Sequence, residues 1–229
     1  MGDGFQFFDI IILALIAGFL VLRLRSTLGR RTGHQESPDA ARWQRQWDNG
    51  DSREAPAQQL DLPGAAAAEP DDEELPTGPV GLGVGRIRAV DPGFRLTPFM
   101  EGAKAAFEMI LAAFAKGDLE TLRGLLSDEV YGDFKAAIER RQAAGQTMST
   151  EMLGFKRLEA EEAELVDGHM AQITVRFVSE QVNVVKDADG QVVEGDPEHI
   201  AQVTDLWTFA RDTRSDSPNW LLVATDTVD

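Results

Sequence analysis

The chain opens with a long apolar run. Residues 5–24 read FQFFDIIILALIAGFLVLRL, and fourteen of these twenty are Phe, Ile, Leu or Val. As a helix, this run would measure about 30 Å, which is the thickness of the hydrocarbon core of a bilayer. We therefore expect residues 5–24 to form one transmembrane helix.

Basic residues flank this run on one side only. No Lys or Arg precedes it, whereas a basic juxtamembrane segment, 25–31, follows it. The arginines at this boundary are Arg23, Arg25, Arg30 and Arg31. The positive-inside rule then predicts that the C-terminal part is cytoplasmic, and the arginines are candidate contacts for anionic lipid. The cluster occupies the place where a cleaved signal peptide needs small residues, and the N-terminus lacks the arginines of a mitochondrial transit peptide. A bacterial inner membrane is therefore expected.

Residues 32–79 show no sustained hydrophobic period. They contain eleven acidic residues against three arginines, with repeated Pro, Gly and Ala. Such a composition cannot bury enough apolar surface to offset its ordering entropy. We interpret residues 32–79 as a disordered acidic linker that spans roughly 40 Å on average.

The following residues, 80–96, begin with three glycines in VGLGVGRIRAV. A nucleotide-binding loop is disfavoured because no strand precedes them and no basic residue follows at a phosphate-binding spacing. We interpret 80–96 as a flexible entrance to the folded domain. Its arginines, Arg86, Arg88 and Arg95, are further candidates for lipid contact.

Hydrophobic periodicity places a folded domain at residues 97–229. Thr97 and Pro98 suit the start of a helix whose apolar residues recur at helical spacing until Gly117. A short helix is predicted from Asp118, and a third, capped by Ser127, is predicted to end at Gly145.

The period then changes from that of a helix to that of a strand. Four strands are predicted within 152–166, 169–185, 199–212 and 219–228. Asp167 and Gly168 are typical of a tight hairpin between the first two. Helices followed by an antiparallel sheet indicate an α+β domain, with the helices packed on a curved four-stranded antiparallel sheet.

Composition narrows the possible functions. The chain has 39 acidic and 22 basic residues, a net charge of −17, which disfavours nucleic acid as a partner. It has no cysteine, and its three histidines, His34, His169 and His199, form no metal-ligand spacing. We therefore expect no catalytic residues, no metal and no cofactor.

Three segments carry a resemblance to a known family. They are RFVSEQVNV from Arg176, VVEGDP from Val192 and, above all, VTDLWTFARDTRSDSPNWLLVAT from Val203. They resemble the C-terminal domain of the membrane-tether subunit of the mitochondrial import motor and its alphaproteobacterial, TimA-like homologues. The N-terminal run GFQFFDIIILALIAGFLVLRLRSTLGRRTG is similar to the bacterial members.

The resemblance implies a cone-shaped fold of the nuclear-transport-factor-two type, membrane association, and a non-enzymatic adaptor role in protein translocation or membrane-protein biogenesis. The mitochondrial members have a presequence and a long helical half that contacts the translocon and the matrix chaperone. Here a span and a linker occupy that place, so chaperone binding stays open. A second hypothesis is a small-ligand or lipid pocket, with possible catalysis, lined by Phe107, Phe177, Trp207 and Trp220. The same four residues also suit a plain aromatic core.

Overall fold

The computed structural model describes residues 74–228 of the chain. The predicted span 5–24, the basic segment 25–31 and nearly all of the linker 32–79 lie outside the described residues. Within residues 74–228, no helix combines the length and the apolar character needed to cross a bilayer.

The described part consists of four helices followed by five strands. The helices are α1 (Pro79–Val90), α2 (Leu96–Lys116), α3 (Leu119–Leu125) and α4 (Asp128–Ala143). The strands are β1 (Thr147–Val166), β2 (Met170–Lys186), β3 (Val192–Gly195), β4 (Ala201–Asp212) and β5 (Leu221–Val228). The prediction of an α+β domain with an antiparallel sheet is confirmed.

The sheet has the order β1-β2-β4-β5, and every neighbouring pair is antiparallel. The short strand β3 also pairs with β2, so the sheet has five strands and not the four predicted. The side chain of Asp187 accepts hydrogen bonds from the backbone N–H groups of Asp189 and Gln191. This turn reverses the chain directly after β2, which lets the next residues return along it as β3.

The predicted helix caps and hairpin are formed. Asp118 accepts a hydrogen bond from the Thr121 amide, and Ser127 accepts one from the Val130 amide. The bonds that Thr121 donates also lower the pKa of the Asp118 carboxyl. Asp167 and Gly168 have φ values of 51° and 75°, which join β1 and β2 in a tight turn. Helix α2 begins at Leu96, slightly before the predicted start.

The prediction of a flexible entrance at residues 80–96 is wrong, because most of it forms helix α1. Val84 and Ile87 are fully buried in the core. A Cβ atom on Gly83 would lie 1.8 Å from the carbonyl oxygen of Ala163 in β1, so only glycine allows this approach. Similarly, a Cβ on Gly81 would lie 1.7 Å from the carbonyl oxygen of Pro76. Gly83 therefore allows α1 to pack closely on β1, and Gly81 allows the segment before α1 to fold back on the helix.

Side chains alternate across the sheet, and we call its two sides the inner face and the outer face. The inner face carries the buried residues of β2 and β4, among them Val175, Phe177, Trp207 and Phe209. Together with the buried side chains of the helices, these form one hydrophobic core. The outer face carries the half-buried residues between them, such as Arg176.

Candidate functional site

Helix α1 is fixed to the sheet by a polar contact at its C-terminal end. Asp91 forms an ion pair with Arg211 of β4, and the two side chains are only 21% and 14% exposed. The Arg211 guanidinium also lies 5.5 Å from the centre of the Trp220 ring. Trp220 in turn packs on Phe94 and Phe99, at centroid distances of 5.7 and 4.6 Å. The Asp91–Arg211 ion pair joins residues that are 120 positions apart in the sequence.

The three arginines predicted to contact lipid lie together at this end of the domain, but in different roles. Arg88 donates from Nε to the Phe94 carbonyl at 3.2 Å. Arg95 donates from Nη1 to the carbonyls of Pro92 and Phe94 at 2.7 and 2.9 Å. Both therefore brace the turn between α1 and α2, while Arg86 is exposed. The other four, Arg23, Arg25, Arg30 and Arg31, lie outside the described residues.

One side of α1 exposes an apolar and basic row. Leu82, Arg86 and Val90 are spaced four residues apart, and thus share one side of the helix. Leu82 is 68% exposed and Val90 is 45% exposed. No acidic residue occurs within α1, although residues 80–229 contain 26 acidic and 15 basic residues. We call Leu82, Arg86 and Val90 the α1 row; it offers apolar and positive groups on an otherwise acidic domain.

The four residues of the predicted pocket do not line a common space. Phe107 of α2 stacks on Phe177 with ring centroids 4.3 Å apart, and it contacts Trp207 at 4.4 Å. No ligand fits between rings at these separations. Trp220 lies apart from them, in the contact with Phe94 and Phe99 at the end of α1. Phe107, Phe177 and Trp207 thus belong to the hydrophobic core, and Trp220 belongs to the contact at the C-terminal end of α1.

The outer face of the sheet has a shallow depression of about 350 Å³. It is lined by Lys156, Arg157, Arg176, Val178, Gln202 and Thr204. Each cation is already paired: Lys156 with Glu180 at 3.0 Å, Arg157 with Glu159 at 3.5 Å, and Arg176 with Glu161. The hydrogen bond from Arg176 to Glu161 raises the pKa of that arginine. The depression is therefore close to neutral.

Groups suited to catalysis or metal binding are dispersed. His169 lies in the hairpin, with Nδ1 2.9 Å from the Asp167 carbonyl oxygen, and His199 is exposed. Within residues 74–228, no three His, Cys, Asp or Glu side chains come together in a way that holds a metal ion.

Asp205 is a buried acid that sequence reasoning missed. It lies on the inner face of β4, opposite Phe177 of β2 and Thr227 of β5, and is 8% exposed. Burial raises the pKa of its carboxyl to about 6, although the hydrogen bond from Thr227 opposes the shift. The signal was present, because a charged residue occupied a position that alternation assigns to the core. The sequence contains no comparable indication that Asp91 and Arg211 form a pair.

Comparison with known families gives a match over nearly all of the described residues. A family model described as the Tim44-like domain matches residues 80–227. The match includes α1, which sequence analysis had separated from the folded domain.

Curated relatives share the sequence at low identity. The probable mitochondrial import inner membrane translocase subunit tin-44 of Caenorhabditis elegans is 27% identical over 48% of this chain and 26% of its own length. Subunit TIM44-1 of Arabidopsis thaliana is 26% identical over 54% of this chain and 26% of its own. Human TIM44 is 24% identical over 55% and 28%. The matched part is thus about a quarter of each relative.

Among solved structures, the intermembrane space region of the chloroplast protein ARC6 is also similar. It covers 56% of this chain and 95% of its own, with 15% identity and a TM-score of 0.39. A score of that size says nothing about function.

Proposed function

This chain belongs to the Tim44-like family, and from that premise we propose that it is a non-enzymatic adaptor at a bacterial inner membrane. In this proposal the domain binds protein partners that act in protein translocation or membrane-protein biogenesis. The observation that carries it is the family match over residues 80–227, since the relatives with that domain are named as import inner membrane translocase subunits.

The proposed membrane arrangement uses the order of segments in the sequence. The apolar run 5–24 anchors the chain, the acidic residues 32–79 connect it to the domain, and α1 is the first folded element after the connection. Along the chain, the α1 row is thus the part of the described domain that is nearest to the proposed anchor. Leu82 and Val90 supply apolar surface, and Arg86 supplies a charge that anionic head groups attract. Arg88 and Arg95 act with them, as do the juxtamembrane arginines Arg23, Arg25, Arg30 and Arg31.

The interior supports binding through the surface more than a pocket. Phe107, Phe177 and Trp207 fill the space in which the alternative function would place a ligand. The α1 row and the outer face remain as surfaces for partners. The proposal includes chaperones as one class of protein partner, and crosslinking tests whether they bind.

The test of the adaptor function is in-cell photo-crosslinking from the full chain. A photoreactive amino acid at Leu82 is compared with one at Leu153, an exposed leucine of β1, and with the anchor alone. We expect Leu82 to capture membrane, chaperone or translocation proteins that neither control captures. Equal capture from all three would contradict the proposal.

The lipid contact has its own test. Residues 74–229 are first checked for folding by circular dichroism, and are then floated with anionic and with neutral liposomes at low salt. We expect flotation with anionic liposomes only, and a loss of at least half of it in Arg86→Glu. Arg140→Glu makes the same charge change on an exposed position of α4 and should float like the parent. Absence of flotation in the parent would remove lipid contact from the proposal and leave the protein contacts to the crosslinking test.

A further inference from the structure

The carboxyl of Asp205 differs from the other acids near the core. Asp91 is paired with Arg211, and Asp212 accepts from Arg214 at 2.8 Å, which lowers the pKa of Asp212. Asp205 accepts one hydrogen bond, from the Thr227 hydroxyl at 2.9 Å. A carboxylate has about four acceptor positions, so most of the hydration that Asp205 loses on burial is not replaced.

Within residues 74–228, no cation lies beside Asp205 to compensate its charge. On β2 its neighbours are Phe177, directly opposite, and Ser179, and on β5 they are Thr227 and Thr225. The charged residues of α2, which packs on β4, are exposed: Glu101, Lys104, Glu108 and Lys116. Helices α3 and α4 pack on β5, and all of their charged residues except Arg141 are exposed as well. The exposed ones are Glu120, Arg123, Asp128, Glu129, Asp133, Lys135, Glu139 and Arg140. Arg141 donates to the carbonyls of Phe114 and Ala115 at the end of α2.

The two halves of β5 are held differently. Leu222 is fully buried, and its carbonyl accepts a hydrogen bond from the Ser127 amide at 2.9 Å, so the first half is fixed to the helices. The second half, 225–228, pairs with β4. The side chain of Thr227 also donates a hydrogen bond to Asp205 of that strand. The Thr225 hydroxyl is buried there without a partner in the structure. The second half is thus the less stable one.

We propose that Asp205 and Thr227 form a proton-controlled latch on the second half of β5, closed when the carboxyl is protonated and loosened when it is ionised. A protonated carboxyl is neutral and stays buried at little cost, whereas an ionised one gains free energy by reaching water. It reaches water when 225–228 separate from β4. The loosened state exposes the edge of β4 near Asp205.

Hydrogen exchange on the full chain in detergent micelles tests the latch between pH 5 and pH 8, after correction for intrinsic exchange rates. With a pKa of 3.8 in the open strand and about 6 in the closed one, linkage predicts that opening of 225–228 rises roughly tenfold over this range. Asp205→Asn cannot ionise, so its opening should not change with pH and should be lower than that of the parent at pH 8.

Two further variants give the experiment its controls. Asp226→Asn removes a charge from the same strand on the opposite face and should keep the tenfold change. Thr227→Val removes the donor and should increase exchange of 225–228 at pH 5, where the parent is closed. The latch is wrong if Asp205→Asn follows the parent's pH profile, if Asp226→Asn flattens it equally, or if Thr227→Val leaves exchange at pH 5 unchanged.

Discussion

The inner face of the sheet has two regions of opposite character. Around Phe177 and Trp207 it is aromatic, and Phe107 of α2 packs on both rings. Two residues further along β2 and two residues earlier on β4, it presents Ser179 and Asp205, which are polar and also buried. The aromatic region buries groups that water does not solvate well, whereas the polar region buries groups that lose hydrogen bonds to water.

The difference shows which region stabilises the domain at every pH and which region makes its stability depend on pH. Apolar contacts do not depend on pH, so the aromatic region should hold the fold under all mild conditions. The polar region depends on the protonation of one carboxyl and on a few hydrogen bonds, such as that from Gln181 to Ser179 at 2.7 Å. Changes in the two regions should therefore differ in size, in sign and in response to pH.

The largest effect is expected in the aromatic region. Phe107→Ala should lower the free energy of unfolding by about 3–5 kcal/mol, because it leaves a cavity beside two large rings. Urea unfolding followed by Trp fluorescence measures it, and the loss should be the same at pH 5 and pH 7. Glu108→Ala, at the exposed neighbouring position, should change stability by less than about 0.5 kcal/mol. A loss for Phe107→Ala no greater than that of Glu108→Ala would mean that the rings do not form the core.

A change of opposite sign is expected in the polar region. The pKa of Asp205 is higher in the folded state, about 6, than the ordinary value of 3.8, so the folded state loses stability as pH rises from about 4 through 6. Asp205→Asn removes that loss and should stabilise the domain at pH 7 by roughly 3 kcal/mol. Urea unfolding at several pH values measures the difference between variant and parent. It should shrink toward zero near pH 4, and a difference independent of pH would contradict the assignment.

A smaller effect is expected outside both regions, where α1 packs on β1. Gly83→Ala forces a Cβ against the carbonyl of Ala163 and should cost about 1–3 kcal/mol. Gly102→Ala is the matched control, because a Cβ there meets no atom within 4 Å on an exposed position of α2. It should stabilise by about 0.5–1 kcal/mol. Thermal unfolding compares the two, and equal shifts would show that α1 does not pack on β1 this closely.

Much of the fold was readable from local signals. The caps at Asp118 and Ser127, the hairpin at Asp167 and Gly168, and the four long strands all depend on residues close in sequence. The errors have a shared cause. Helix α1 is poor in helix-forming residues, with three glycines, and is stabilised by packing on β1; β3 is four residues long and depends on pairing with β2. Each element therefore depends on its contact with a strand.

The candidate site was less predictable than the fold. Periodicity identified Phe107, Phe177 and Trp207 as inward-facing, but could not say whether their rings touch. The sequence identifies Arg86, Arg88 and Arg95 as a basic group. Only the structure shows that Arg86 is exposed, whereas Arg88 and Arg95 donate to backbone carbonyls in the turn between α1 and α2.

The sequence by itself determined the order of segments, the α+β class, the acidic charge and the family resemblance, because composition, period and short motifs are properties of neighbouring residues. The tertiary structure alone decided that Asp91 meets Arg211, that Gly83 meets Ala163, and that Asp205 is buried against Thr227 without a cation. The absence of a cation holds for residues 74–228. These contacts depend on which strands and helices become neighbours, and so on the free energy of the whole domain.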